Sequence, residues 1–183
     1  MMVTQRRTVL LRDGTPVLLR SPEVKDAQAL LDFLKATAGE SDNLLRAPGE
    51  ITMTLQQEEA FLDALLTDER RVMVNAYIGD GLAGNVTLFP VGGRSRMRHR
   101  CEIGIAVRRA YWGRGLGALL MREVLSLAPG LRFSQAELGV YSDNARAVKL
   151  YEGLGFETWG RVKNACLMPD GRLRDELLMG LVF

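Results

Sequence analysis

One stretch of the chain changes its hydrophobic period from two residues to about 3.6 residues across a glycine-rich turn. Ile103, Ile105 and Val107 alternate along the chain, which is typical of a strand with one buried side. After the turn, apolar residues recur at helical spacing until Pro129: Leu116, Leu119, Leu120, Val124 and Leu127. The stretch therefore predicts a strand, a tight turn and a helix, and the rest of the fold must accommodate this unit.

The turn predicts an anion-binding site. Gly113, Gly115 and Gly117 leave the backbone accessible where the helix begins. The first N–H groups of a helix have no intrahelical partners, and the helix dipole is positive at that end. Three nearby arginines add positive charge: Arg108, Arg109 and Arg114. We therefore expect a phosphorylated ligand.

Length and charge limit the classes of protein that fit. The chain has 183 residues, 47% of them hydrophobic, so it can bury one core, and we expect a single domain over residues 1–183. Lys and Arg number 24 against 22 Asp and Glu, which gives a net charge of only +2. Because this excess is small, we expect neither a membrane surface nor a nucleic acid as the partner.

The basic residues are nevertheless concentrated in one short stretch. Four arginines occupy alternate positions there: Arg94, Arg96, Arg98 and Arg100. In a strand these four like charges would share one face and repel each other. The pattern favours a solvated loop or an edge, and contact with an anionic ligand or RNA is the alternative.

Cysteine and histidine usage argues against disulfides and metal sites. The two cysteines, Cys101 and Cys166, and the single histidine, His99, fit no disulfide framework and no metal-ligand spacing. We expect both thiols to pack as small apolar groups in strands, and no metal.

Two observations bear on localisation. The basic N-terminus, residues 1–7, is followed by an apolar run over residues 9–11 only, which is too short for a signal peptide. No run approaches the roughly 18 apolar residues of a membrane span. We expect a cytoplasmic protein.

The order of the remaining elements predicts the fold class. A hairpin over residues 8–20 precedes a helix predicted to start at Ser21 and Pro22, and a capping box at Thr54 opens a second helix. Strands are predicted over residues 72–78, 82–89, 103–107, 136–141, 156–167 and 174–183, and helices from residue 116 and over residues 143–153. This order predicts an α+β fold, a mixed and mostly antiparallel sheet with one parallel step and helices on both faces.

A dinucleotide site does not fit the glycine turn. The dinucleotide fingerprint requires a third glycine, and the chain has Leu120 at the corresponding position. The Gly-Lys-Ser/Thr of a phosphate-binding loop is also missing from the sequence. Another phosphorylated ligand is therefore expected.

The segment 107–120 resembles the acyl-CoA-binding signature of the GNAT N-acetyltransferases, Arg/Gln-x-x-Gly-x-Gly/Ala. Its leading position differs, because Trp112 stands there, and a polar side chain is thereby removed from the phosphate site. A packing role for Trp112 stays open. The resemblance implies cofactor contacts, chiefly through backbone N–H groups of residues 113–118, from Ile105, Val107, Trp112, Gly113, Arg114, Gly115, Leu116, Gly117 and Ala118.

A second segment is similar to the other cofactor motif of this superfamily, Asn-x-x-Ala-x-x-Leu-Tyr-x-x-x-Gly-Phe. Every position of that motif is present: Asn144, Ala147, Leu150, Tyr151, Gly155 and Phe156. Asn144 and Tyr151 are about two helical turns apart and share a face. Spacing by itself also fits a buried core tyrosine. The resemblance implies that Asn144 binds the pantetheine arm and that Tyr151 protonates the departing CoA thiolate.

The resemblance implies an N-acetyltransferase of GNAT-like fold that moves an acetyl group from acetyl-CoA directly to a primary amine. Glu102 is the candidate general base, and a surface carboxylate paired with the arginines is the alternative reading. The amine acceptor is a small molecule, polyamine, amino acid or protein N-terminus, expected between residues 40–53 and 163–176. A non-catalytic acyl-CoA sensor is the alternative function, and a homodimer stays open.

Overall fold

The protein is described by a computed structural model over residues 6–183; residues 1–5, part of the N-terminal stretch considered above, lie outside the described residues. The described residues form a single eight-stranded sheet with the order β1-β2-β3-β4-β5-β6-β8-β7. The strands are β1 (Arg7–Leu10), β2 (Pro16–Arg20), β3 (Val72–Ile78), β4 (Gly81–Pro90), β5 (Arg100–Val107), β6 (Gln135–Tyr141), β7 (Glu157–Leu167) and β8 (Leu173–Val182). The helices are α1 (Ala27–Glu40), α2 (Leu55–Thr67), α3 (Leu116–Leu127) and α4 (Ala145–Glu152).

The two faces of the sheet carry separate hydrophobic cores. Along β3, Val72 and Val74 belong to the core that contains Leu120 of α3 and Tyr151 of α4. The intervening Met73 belongs to the other core, with residues of α1 and α2. Because side chains alternate across a strand, the helices cover both faces. The predicted α+β fold with a mostly antiparallel sheet is confirmed.

The parallel step between β5 and β6 opens a gap in the sheet. β5 pairs with β6 only through residues 100–102 and 135–137, whereas β4 pairs with β5 over residues 101–107. Beyond Glu102 and Glu137, β5 and β6 diverge, and the side of β5 that faces β6 has no strand partner there. Such a gap exposes a row of backbone N–H and C=O groups to a ligand.

The predicted start of the first helix is wrong. The chain stays extended through Glu23 and makes one 3₁₀ turn, Val24–Asp26, before α1 begins at Ala27. The Asp26 carboxylate accepts a hydrogen bond from the Glu23 N–H at 2.7 Å and pairs with Arg20. This local network fixes the tighter turn that the Ser-Pro signal did not indicate.

The basic stretch is largely the exposed loop that was predicted. It forms a short 3₁₀ turn, Ser95–Met97, flanked by exposed Arg94 and Arg98. Arg100 differs, because it lies in β5 and makes two hydrogen bonds to Glu137 across the parallel step. Cys101 is buried in β5 and Cys166 is half-buried in β7, so both lie in strands as predicted. Within residues 6–183, no helix is long and apolar enough to cross a membrane.

Candidate functional site

A cleft of about 510 Å³ lies where β5 and β6 diverge. Its walls come from β5, the glycine turn, the start of α3, β6, α4 and the segment after α1. It brings together eleven of the twelve residues predicted for the site: Glu102, Ile105, Val107, Trp112, Gly113, Gly115, Leu116, Gly117, Ala118, Asn144 and Tyr151. Two motifs that are separate in sequence therefore form one cavity.

The glycine turn presents backbone N–H groups to the cleft. Gly113 has φ 76° and Gly115 has φ 89°, in the left-handed region that side chains disfavour. Gly115 is the N-cap of α3, and the first intrahelical bond runs from the Leu119 N–H to the Gly115 carbonyl at 3.0 Å. The N–H groups of residues 116–118 therefore precede that bond at the positive end of the helix, where an anion is favoured.

Trp112 occupies the leading position of the signature, and its indole ring both donates a hydrogen bond and packs against an arginine. Its indole Nε1 donates a hydrogen bond to the Val107 carbonyl at 2.7 Å, which ties the turn to the end of β5. The Arg146 guanidinium from α4 stacks on the ring, 3.7 Å from its centroid. Arg146 also lines the cleft. A cation from another element therefore lies against the position where the signature has a polar residue.

Arg114 is the one predicted site residue that does not line the cleft described for residues 6–183. Its guanidinium pairs with Asp13 at 2.8 Å and bonds the Thr15 hydroxyl, so it faces the turn between β1 and β2. The hydrogen bond from Arg114 lowers the pKa of Asp13 to about 2. This arginine connects the glycine turn to the opening hairpin.

Two carboxylates line the cleft. Glu102 is an exposed residue of β5, and Glu176 is a half-buried residue of β8. A Cβ at Gly139 would overlap the Glu176 carboxylate, so the glycine in β6 makes room for it. Among the ion pairs of residues 6–183, neither Glu102 nor Glu176 takes part, and Arg100 is paired with Glu137. Glu102 therefore does not form an ion pair with an arginine, which was the alternative interpretation of this residue.

Tyr151 is a buried hydroxyl at the wall of the cleft. Only 7% of the residue is exposed, and its ring packs against Phe156 with centroids 6.0 Å apart. Burial raises the pKa of the Tyr151 hydroxyl to about 12. The hydroxyl is protonated at neutral pH, as a tyrosine already is at its ordinary pKa near 10, and it can act as a donor.

Asn144 begins α4 and also lines the cleft. Its side-chain oxygen accepts a hydrogen bond from the Ala147 N–H at 3.3 Å, so α4 starts at Ala145 and is shorter at both ends than the predicted residues 143–153. Capping uses the amide oxygen and leaves the amide N–H₂ group to serve as a donor.

The segment after α1 forms another wall of the cleft. The sequence predicted only that the acceptor site would involve residues 40–53. Ser41, Asn43, Leu44 and Leu45 line the cleft. Arg174 of β8, only 8% exposed, holds this segment by donating to the Asp42 carbonyl at 2.5 Å and to Asn43 Oδ1 at 3.0 Å.

The same arginine reaches the cofactor motif. Arg174 Nε donates to both Asp143 carboxylate oxygens at 3.0 Å, and its guanidinium stacks 3.9 Å from the centroid of Tyr141. Arg174 therefore connects three parts of the structure: the last hairpin, the segment after α1 and the start of α4.

The matched sequence profile decides the family. The profile described as Acetyltransferase (GNAT) family matches residues 40–156, which is more than half of the chain. The chain belongs to the GNAT acetyltransferase family. The assignment made from the two motifs is confirmed, and family membership supports an acyltransferase activity.

Individual proteins that resemble the chain are also named as acetyltransferases. The chain is similar to L-amino acid N-acetyltransferase AaaT of Escherichia coli (strain K12), with 37% identity over 108 residues, 58% of this chain and 65% of that protein. It thus spans just under two thirds of that relative. A GNAT-family acetyltransferase structure from Streptococcus pneumoniae has a TM-score of 0.87 at 29% identity and covers 91% of this chain and 99% of its own.

A further solved structure shares the fold. The structure of yncA from Salmonella typhimurium with its cofactor acetyl-CoA has a TM-score of 0.80 at 18% identity, and covers 91% of this chain and 93% of its own. In that protein, a fold of this kind binds acetyl-CoA.

Proposed function

We propose that the protein transfers an acetyl group from acetyl-CoA directly to a primary amine. One observation carries the proposal: a single cleft contains the glycine turn, Asn144, an unpaired carboxylate at Glu102 and a neutral buried tyrosine at Tyr151. Binding an acyl-CoA would require only the turn and its surroundings. A carboxylate and a proton donor in the same cleft supply what amide formation needs in addition.

The cofactor is proposed to lie along β5 and across the glycine turn. The N–H groups of residues 116–118 and the Arg146 guanidinium would hold the diphosphate, because both carry positive charge into the cleft. The pantetheine arm would follow the open side of β5 past Ile105 and Val107, as an added strand does. The Asn144 amide would donate a hydrogen bond to that arm.

The amine must lose a proton before or during attack. At pH 7 the deprotonation of an amine with a pKa near 10.4 costs about 4.6 kcal/mol, so a nearby base accelerates the reaction. Glu102 is proposed to take that proton, directly or through water, and Glu176 gives the cleft a second negative charge that attracts the ammonium form.

Bond exchange then completes the transfer. The amine nitrogen forms a bond to the acetyl carbonyl carbon, the carbon–sulfur bond breaks, and the departing thiolate takes a proton from the Tyr151 hydroxyl. The second proton, which the nitrogen releases as it becomes an amide, returns to Tyr151 through water. A backbone N–H of β5 near Ile105 or Val107 would stabilise the negative charge on the carbonyl oxygen. The Tyr151 hydroxyl lines the cleft, as this role requires.

The acceptor is proposed to enter between the segment after α1 and the last hairpin. Ser41, Asn43 and Leu44 on one side and Glu176 on the other line that part of the cleft. The relative AaaT is named as an L-amino acid N-acetyltransferase. Amino acids are therefore the first acceptors to test, beside small amines, polyamines and peptides with a free N-terminus.

The test is thiol release from acetyl-CoA over this panel of amines, with the product identified by its acetyl mass shift. We expect turnover with at least one primary amine, and roughly 100-fold lower kcat for Glu102→Gln and for Tyr151→Phe. Glu69→Gln, which changes an exposed carboxylate outside the cleft, is the matched control and should leave kcat unchanged. If acetyl-CoA binds but no amine consumes it, the protein is the non-catalytic acyl-CoA sensor instead.

A further inference from the structure

A second cavity, of about 380 Å³, is lined by basic residues alone within the described range 6–183. They are Arg70, Arg98, His99 and Arg132. Three separate segments supply them: the connection from α2 to β3, the loop before β5 and the turn after α3. Apart from the loop arginine and histidine, no sequence pattern indicated that these residues would meet.

Among the described residues, the arginines of this cavity have no carboxylate partner, in contrast to Arg100 and Arg174. Arg100, the next arginine after Arg98, pairs with Glu137, and Arg174 pairs with Asp143. Within residues 6–183, neither Arg70, Arg98 nor Arg132 forms an ion pair, and no carboxylate lines the cavity. Like charges that converge without a counter-charge repel each other, so an anion between them is favoured.

The backbone around the cavity is held in place by hydrogen bonds. Arg70 donates to the carbonyls of Leu131 and Arg98, which links the two loops that carry the other cations, and its guanidinium stacks 4.3 Å from the centroid of Phe133. The His99 carbonyl accepts hydrogen bonds from the Ser134 and Gln135 N–H groups at 3.0 and 3.2 Å. The basic groups are therefore presented by an ordered frame.

We propose that this cavity binds a phosphate-bearing anion. Arginine guanidinium groups donate in a planar fork that matches phosphate oxygens, and the His99 imidazole offers a further donor. A volume of about 380 Å³ lies within the range of small-ligand sites. The site is separate from the proposed CoA diphosphate site, because the two cavities share no lining residue.

Titration of the ¹⁵N-labelled protein with sodium pyrophosphate at constant ionic strength tests the proposal. We expect saturable shifts of the Arg98, His99 and Arg132 amide signals, which distinguish this site from any shifts at Gly115 and Gly117. The double variant Arg98→Ser/Arg132→Gly should weaken this binding at least tenfold. Glycine is the suitable replacement at position 132, because Arg132 has φ 64°.

The matched control is Arg12→Ser/Arg122→Ser, which removes the same charge from two exposed arginines outside the cavity and should keep the affinity within twofold. Equal losses in both double variants would mean general charge attraction and would overturn the proposal. A second arm uses a single-stranded RNA, because exposed Arg94 and Arg96 lie nearby in sequence. If only the RNA binds, and its affinity depends on Arg98 and Arg132, the cavity is part of an RNA surface and the small-anion proposal is wrong.

Discussion

The guanidinium of Arg146 lies 3.7 Å from the centroid of the Trp112 indole ring, so a cation from α4 covers the residue that replaces the polar leader of the CoA signature. The indole N–H is committed to the Val107 carbonyl at 2.7 Å, which fixes the ring beneath the guanidinium. Stacking of this kind orients an arginine and leaves its N–H groups free to donate hydrogen bonds in the plane of the guanidinium. This pair is therefore the expected source of side-chain charge at the diphosphate.

Replacing Arg146 tests that role. We expect Arg146→Gln to weaken acetyl-CoA binding about tenfold, because a charge-assisted contact contributes roughly 1.5 kcal/mol or more. Acetyl-pantetheine, which lacks the diphosphate, should bind the parent and the variant equally well. Arg122→Gln, at an exposed position of α3, is the control. Equal losses for both thioesters would show that Arg146 shapes the cleft rather than holding phosphate.

Bulk and negative charge at the start of α3 should block the cofactor. We expect Gly117→Glu to reduce CoA affinity at least 100-fold, because the carboxylate would stand where a diphosphate is proposed, and Gly117 already packs closely on α4. A Cβ at Gly117 would lie 3.4 Å from Leu150 Cδ2. Gly117→Ala separates bulk from charge, and Gly49→Glu adds the same charge at a position with nothing within 4 Å of its Cβ. Retained affinity in Gly117→Glu, measured by calorimetry, would place the diphosphate elsewhere.

The buried hydroxyl of Tyr151 should make the fold sensitive to alkali. Burial raises its pKa from 10.0 to about 12, so the folded state holds the proton more tightly than the unfolded chain. The contribution of Tyr151 to stability is fully present below pH 10 and is lost as the pH rises towards 12, by up to about 3 kcal/mol.

The Tyr151→Phe variant isolates this effect. Its free energy of unfolding should fall less than that of the parent between pH 9.5 and 11.5, as measured by urea denaturation. Cys101 and Tyr141, whose pKa values burial also raises to about 12, are unchanged in the variant, so the difference belongs to Tyr151. Parallel loss of stability in the two proteins would contradict the raised pKa.

Arg174 should control the order of the wall after α1. Arg174→Met removes its bonds to Asp42, Asn43 and Asp143, and we expect about 1–3 kcal/mol lower stability and faster hydrogen exchange over residues 41–45. KM for the acceptor should rise more than KM for acetyl-CoA. Arg172→Met is the control, since Arg172 is exposed and pairs with exposed Asp170. Unchanged exchange over residues 41–45 would show that the wall is held by other contacts.

The sequence by itself determined the parts of the protein that are built from local pattern. The period change around the glycine turn predicted β5, the turn and α3. Asn144 and Tyr151, predicted from their spacing to share a face, both line the cleft. These predictions succeed because strand alternation, left-handed glycines and helical spacing depend on neighbouring residues. The failed start of the first helix involves Arg20 and Asp26, whose side chains compete with the usual Ser-Pro signal.

Only the tertiary structure decided which distant side chains meet. It turned Arg114 towards Asp13, 101 residues away, and placed Arg146 on Trp112 instead. It also brought Glu176 into the cleft and assembled the basic cavity around Arg70. The physical reason is that these contacts join elements far apart in sequence: the sheet order decides which elements are neighbours, and the separation of β5 and β6 after three residue pairs opens the cleft.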